Sequence, residues 1–446
     1  MPPRGEAAVL DSIVMQAARY QVGAEPTRDL RQKLLDRALR EWPHVSVPSH
    51  WVPDSEGAIQ WDLVRERIVN ILRYEIKSDA SPGFPLSNIG DNTKVIETMG
   101  EDFIVSVVIS RLKLLLCNDC LGTPMSLVDE SLCDAVSLFV KNEPHPEKKF
   151  LSKRWRLISS VSLVDQVIDR LLHTRQNKVE IFLWHKLPSL PGMGLTTETD
   201  YKRILRAANR RAEKHGTGIA CADVSGFDWS VKEWQIMLDA EIRTKLMRGC
   251  PSYVRDLMIR RARCLCRSLY STPQGKLISQ DVLGVVKSGT FNTSSTNSRI
   301  RVLMAWAVGA EWCVAMGDDS LEAPVECAVE KYAELGHRVT DYEVAEDTFE
   351  FCSHTFHMDG SGWYPTDPVK SLYGSGVKGF RPEADQALRN YVQRHPHRDK
   401  YLEVLDLIER HHSPETVPAG NNAQQENPGD TQGRAARPAS RPAQAQ

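Results

Sequence analysis

The chain has 446 residues, 41% of them hydrophobic and 26% charged, with a formal net charge of −2. Such a chain can bury a large core, but it cannot bind a polyanion by overall positive charge, so any nucleic-acid site must concentrate its basic groups locally. The apolar stretch 103–116 carries Arg111 and Lys113 and does not suit a membrane span of ~20 apolar residues, and the opening Met1-Pro-Pro-Arg-Gly-Glu6 lacks the apolar centre of a signal peptide.

In chain order, apolar residues at helical spacing predict helices over 27–42 (Leu30, Leu34, Leu35 and Leu39 on one face), 59–74, 103–117 and 127–140. Further helices are expected over 162–184, 200–215, 234–247 and 254–267. Strand signals are fewer. They fall at 218–224, at 268–271 and 276–279 around Thr272-Pro-Gln-Gly275, at 310–316 and 321–325 around Gly317-Asp318-Asp319, and at 349–358. A few strands among many helices predict an α+β fold. From Ser413 onward the only branched aliphatic residue is Val417, and this composition predicts a disordered tail over 413–446. The ten cysteines are scattered. Cys117-Asn-Asp-Cys120 has ligand spacing and Cys133 is near, but nothing completes a zinc set, so zinc is not expected and buried thiols are.

The chemistry lies in three segments. Two adjacent carboxylates, Asp318 and Asp319, sit at a predicted hairpin tip, and Asp223 closes the apolar run 218–224. Nucleotidyl transfer needs two divalent cations roughly 3.5–4 Å apart, bridged by carboxylates. Mg²⁺, or Mn²⁺ in its place, prefers oxygen ligands and keeps several waters, so Asp223, Asp318 and Asp319 suffice as catalytic and metal-holding residues. Taken singly, Asp223 and Asp228 also read as a helix cap and a surface acid; the ordered set favours the metal centre. No organic cofactor is expected.

The second segment runs from Ser288-Gly289 to Asn297. Gly289 permits a sharp turn. Thr293 and Asn297 share a face of the helix expected to follow, through Ala307. Asn297 offers a donor and an acceptor to a ribose hydroxyl, and Asp228 could accept from Asn297 or from the 2′-hydroxyl itself. The third segment, Lys141 to Ile158, is the densest in positive charge. Alternation in Arg154-Trp-Arg156-Leu-Ile158 predicts a strand with basic side chains on one side, suited to triphosphate.

With Phe139-Val-Lys-Asn-Glu-Pro-His145, Arg156 to Gln166, Pro191-Gly-Met-Gly-Leu195, Asp223 to Ser230, Ser294 to Arg299, Ala315 to Ser320 and Phe351 to Phe356 in view, the chain resembles the RNA-dependent RNA polymerases of positive-strand RNA viruses. The nearest group is that of sobemoviruses, poleroviruses and barnaviruses. The resemblance covers about 81–356 and implies a right-hand fold of fingers, palm and thumb. The corresponding divisions are a helical extension of the fingers at 1–80, fingers at 81–217, palm at 218–358 with a fingers insertion within about 230–285, and thumb at 359–412. It further implies that Lys141, Arg154 and Arg156 contact the triphosphate, that Ser81 to Pro85 (with Ser81 and Gly83) lies at the template and primer entrance, and that 351–356 supports the primer. The family often places a proton-donating lysine after the fourth palm motif. Here Gly336-His337-Arg338 stands in that region, and His337 is the expected donor. RNA template and product and ribonucleoside triphosphates are the implied partners, with a genome-linked protein and other replication proteins beside them. The implied location is the host cytoplasm, at membrane-associated replication complexes.

Overall fold

The computed structural model describes residue 3 and residues 5–412 apart from 146, 196, 370 and 374–381. The tail expected over 413–446 lies outside the described residues. Thirteen described strands form four sheets. In chain order they are β1 (Val45–Ser46), β2 (Val136–Val140), β3 (Leu157–Ser160), β4 (Ala220–Val224), β5 (Met247–Arg248), β6 (Leu269–Ser271) and β7 (Leu277–Ser279). The remainder are β8 (Cys313–Met316), β9 (Asp319–Glu322), β10 (Val339–Val344), β11 (Thr348–Phe351), β12 (His354–His357) and β13 (Trp363–Pro365).

The sheet that matters for function has the order β10-β4-β9-β8 and is antiparallel throughout. Its strands alternate between two cores, as the period of two requires. Cys313 and Ala315 of β8, with Ala222 and Val224 of β4, pack against Ile300, Leu303 and Met304 of the helix Thr293–Ala307 and against Leu238 and Ile242 of the helix Glu233–Leu246. Val314 and Leu321 face the other way, onto Tyr201, Ile204 and Ala208 of the helix Glu198–His215 and onto Phe349, Phe351 and Phe356 of the β11–β12 hairpin.

A second sheet, β3-β2-β6-β7, draws two strands from before β4 in the chain and two from after it. Its neighbour is the long helix Leu163–Leu183, which starts where Ser162 accepts from the Asp165 backbone N–H at 3.1 Å. That helix joins Trp61–Tyr74, Glu101–Cys117 and Ser252–Cys266 in one apolar core, in which Cys120, Cys133 and Cys264 are buried thiols.

Most expected elements appear within a few residues of their predicted bounds. The helix expected over 127–140 does not. A short helix, Pro124–Asp129, ends at Ser131 with φ +59°, and the chain then extends into β2 with Val136, Leu138 and Val140 inward. The strand expected around Arg154 starts later, at Leu157. Trp155 and Leu157 are nevertheless buried while Arg156 is exposed and Arg154 half-buried, so the alternation holds.

Candidate active site

The Gly317-Asp318-Asp319 turn is fixed from behind. Gly317 adopts φ +65°, and its backbone N–H donates to Ser298 Oγ at 2.8 Å, while Ser298 donates to the Ser294 carbonyl at 2.7 Å. The helix Thr293–Ala307 therefore holds the tip of the β8–β9 hairpin. Asp319 opens β9, Asp223 lies near the end of β4, and the register pairs Asp223 with Asp341 of β10. Asp223, Asp319, Asp341, Glu343 and Glu350 line one cleft of about 440 Å³.

These carboxylates disturb one another. Withdrawal from water raises the Asp223 pKa first, then the charges of Asp318 and Asp341; Thr340, donating at 3.5 Å, partly opposes them. Burial pushes Asp319 up to about 7, followed by Asp318 and Asp223, with a hydrogen bond from the Cys352 thiol opposing. Asp228 is pushed up to about 6 by burial, with Asp318 adding to the shift and Asn297 and Arg156 opposing it. Among the described residues no three ligating side chains are already gathered at one point. The carboxylates instead rim a cleft carrying uncompensated negative charge. Hard oxygen donors crowded in this way suit Mg²⁺ or Mn²⁺, which bind through a few carboxylates and retain water.

The expected sugar-side residues divide in two. Asn297 is buried and donates through Nδ2 to Asp228 Oδ1 at 2.8 Å, while its Oδ1 is buried without a partner. Thr293 instead closes its own turn, its hydroxyl lying 2.9 Å from the Lys287 and Thr290 carbonyls. Ser288 and Gly289 dock the loop onto β3. The Ser159 N–H donates to Ser288 Oγ at 3.1 Å, and the Gly289 N–H donates to the Ser159 carbonyl at 2.9 Å.

Two of the basic residues meet beside β3. The Lys141 N–H donates to the Arg156 carbonyl at 2.8 Å, and both side chains reach Glu143, at 2.9 Å from Lys141 and 3.5 Å from Arg156. Arg156 is the cation whose field reaches Asp228. Arg154 feels Arg338, whose carbonyl accepts from the Ser225 N–H in the turn after β4. Ser81 and Gly83 lie at the far end of β3. Leu163 N–H donates to the Pro82 carbonyl at 2.7 Å, and a Cβ on Gly83, at φ +68°, would stand 2.6 Å from the Val161 carbonyl oxygen.

His337 does not fit the role of proton donor. It is fully buried; Gln235 Nε2 donates to its Nε2 at 2.8 Å, and Ser230 Oγ, which itself donates to the Phe227 carbonyl, lies 2.9 Å from its Nδ1. That pattern requires the neutral ring with its hydrogen on Nδ1. Burial, then Lys232 and Arg301, hold its pKa down to about 3. His337 props up the segment carrying Asp228 and is cut off from substrate.

Several residues of the site escaped the sequence reading. Asp341 sits on an edge strand with little apolar pattern, Ser298 and Cys352 act through contacts across the fold, and Arg19 donates to Ser225 Oγ from 206 residues away. Only Asp341 left a local trace, as an acid in a Val-Thr-Asp-Tyr-Glu-Val run.

A small antiparallel sheet with aspartates on a central strand and on a hairpin turn, set among helices and faced by a basic strand, defines the palm of a right-hand polymerase. The solved structure of a Sicinivirus 3Dpol RNA dependent RNA polymerase shares this fold, with a TM-score of 0.60 and 14% identity over 87% of this chain and 82% of that one. Residues 72–381 match the family described as viral RNA-directed RNA-polymerase, and the chain belongs to it. The replicase polyprotein P2AB of Southern cowpea mosaic virus is 38% identical over 385 residues, 83% of this chain and 39% of the relative. Protein P1-P2 of Potato leafroll virus is 35% identical over 412 residues, 88% of this chain and 38% of the relative. The chain thus spans about two fifths of the length of these curated relatives.

Proposed function

We propose that this chain copies RNA into RNA from ribonucleoside triphosphates, as the polymerase of a positive-strand RNA virus. One observation supports this above the others: Asp223 and Asp319 line one cleft and both feel the charge of Asp318, while Arg156 stands near enough to act on Asp228. Mg²⁺ or Mn²⁺ held by Asp223, Asp318 and Asp319 would supply activation of the 3′-hydroxyl and neutralisation of the pyrophosphate.

The chain's own groups do the rest. Lys141, Arg154 and Arg156 bind the triphosphate, with Glu143 giving up its cations to phosphate oxygens. The unpartnered Asn297 Oδ1 and the carboxyl of Asp228 receive the ribose hydroxyls. Ser288 and Gly289 keep that pair at the correct height by their grip on β3. Fingers, palm and thumb divide at about 217 and 358, and Ser81 to Pro85 borders the template path. A genome-linked protein and other replication proteins are the proposed partners, at membrane-associated complexes in the host cytoplasm. No described helix is long and apolar enough to cross a membrane.

The test is synthesis on a defined RNA template, with and without a primer, in the presence of four ribonucleoside triphosphates and Mg²⁺ or Mn²⁺. Template-length product dependent on the cation is expected. RNA binding with no synthesis under any of these conditions would make the chain a binding scaffold instead.

A further inference from the structure

The helix Glu198–His215 has two unlike faces. Tyr201, Ile204, Ala208 and Ala212 enter the core with Trp184. Arg203, Arg206 and Arg210 are exposed on the outside, at helical spacings of three and four that place them along one ridge. With His185, Lys186 and Arg211 they line a groove of about 510 Å³ that shares no residue with the cleft of Asp223 and Asp319. Arg211 is the floor: it is half-buried and donates to the Lys186 carbonyl at 3.3 Å.

This charge is not neutralised by the described residues. Among the described residues none of Arg203, Arg206 and Arg210 pairs with a carboxylate. Glu41 acts on Arg211, and Glu311 is taken up by His215 at 3.3 Å at the helix end. Desolvation, then Arg203 and Lys186, hold the His185 imidazole below its ordinary pKa, so the cations are close enough to repel a further one. Just before the groove, the helix Leu163–Leu183 presents Ile181 and Phe182 to solvent, the latter 80% exposed.

We infer that this groove is a second binding site, outside the catalytic cleft, for single-stranded RNA. From Arg203 to Arg210 the helix rises ~10 Å, room for about three phosphates at the roughly 3.4 Å rise of one strand. Guanidinium forks match phosphate oxygens two at a time. Phe182 supplies a face on which a base stacks. A membrane surface would want a broad apolar plane beside the charge, whereas the lining of this groove is basic apart from Ala207. The inference rests on the polymerase reading only for the presence of RNA, and it is tested without nucleotides, so failure of synthesis does not affect it.

The full chain is titrated with a fluorescent oligoribonucleotide over a range of KCl concentrations, as wild type and as R203A/R206A/R210A. Loss of three phosphate contacts should make the dependence of log affinity on log salt shallower by roughly two. The thermal melting curve of the variant should match that of wild type, which verifies its fold. Independently, wild type is photocrosslinked to 4-thiouridine RNA, and adducts are expected between 182 and 211. An unchanged salt slope, or crosslinks confined to the cleft, overturns the inference. So does loss of binding to phosphatidylserine vesicles in the triple variant with RNA binding intact, which would assign the groove to a membrane.

Discussion

Gly289 gives its backbone N–H to the Ser159 carbonyl at 2.9 Å, and a methyl group at Gly289 would stand 2.4 Å from that same oxygen. The sugar-side loop and the basic strand are thereby locked together, and only glycine allows the approach. Gly289→Ala must push the loop off β3. The overpacking should cost about 1–3 kcal/mol of stability, and misplacing Asn297 by about 1 Å should lower kcat/KM for nucleotide addition by roughly a hundredfold. Denaturant unfolding and single-nucleotide kinetics check both; wild-type kinetics would show that the contact is irrelevant.

Asn297 is tied to Asp228, its partner in the proposed sugar site, by a 2.8 Å hydrogen bond. In Asn297→Ala the preference for ribo- over deoxyribonucleotides should fall by about ten- to a hundredfold, from the about 1.5–3 kcal/mol of a hydrogen bond involving a charged group. Competitive incorporation by wild type and variant measures it. A constant ratio removes Asn297 and Asp228 from sugar selection.

Protonation should oppose the cation. Asp319 titrates near about 7 because burial, Asp318 and Asp223 all favour its neutral form. A carboxyl raised in the folded state binds its proton more tightly there than in the unfolded chain. Its contribution to the stability of the metal-free protein is therefore lost as pH rises from the ordinary carboxylate range through about 7. A cation must displace that proton, so Mn²⁺ affinity should weaken by up to about tenfold per pH unit below about 7. Calorimetric titration on either side of neutrality checks this, and a pH-independent affinity would contradict it.

The helix that carries Asn297 and Ser298 is anchored by buried charge. Arg299 is fully buried and pairs with Glu180 and, at 2.6 Å, with Asp239; Asp239 also holds Arg243 at 3.0 Å. Arg299→Met leaves Glu180 without its cation in the core and should cost about 3–5 kcal/mol. Urea denaturation reads the change, and a loss below about 1 kcal/mol would mean that the network relaxes.

Where the chemistry is local, the chain announces it. The Gly317 turn, the run ending at Asp223 and the helix from Thr293 to Ala307 each stand close to where spacing and residue type put them. The segment 127–140 misled because its period changes from 3.6 to 2 at Ser131, and a window across the change reads as one amphipathic helix. β10 was missed because only Val339 of its six residues is buried, so it shows no alternation, yet it brings Asp341 opposite Asp223. His337 shows the other failure: its position in the chain suggested a proton donor, while its two neutral hydrogen bonds and its burial, which depend on residues about a hundred positions away, make it a prop. Contacts between separated parts of the chain likewise hide Cys352 beside Asp319 and Arg19 beside Ser225.

The central claim is that Asp223, Asp318 and Asp319 act together on a cation in one cleft. Asp318→Asn keeps the shape of the turn, whose Gly317 N–H still meets Ser298, and removes one negative charge. Primer extension by this variant, beside its thermal melting curve, is the direct measurement. Synthesis reduced by several orders of magnitude with the melting transition preserved is the predicted result; elongation at the wild-type rate would contradict the account.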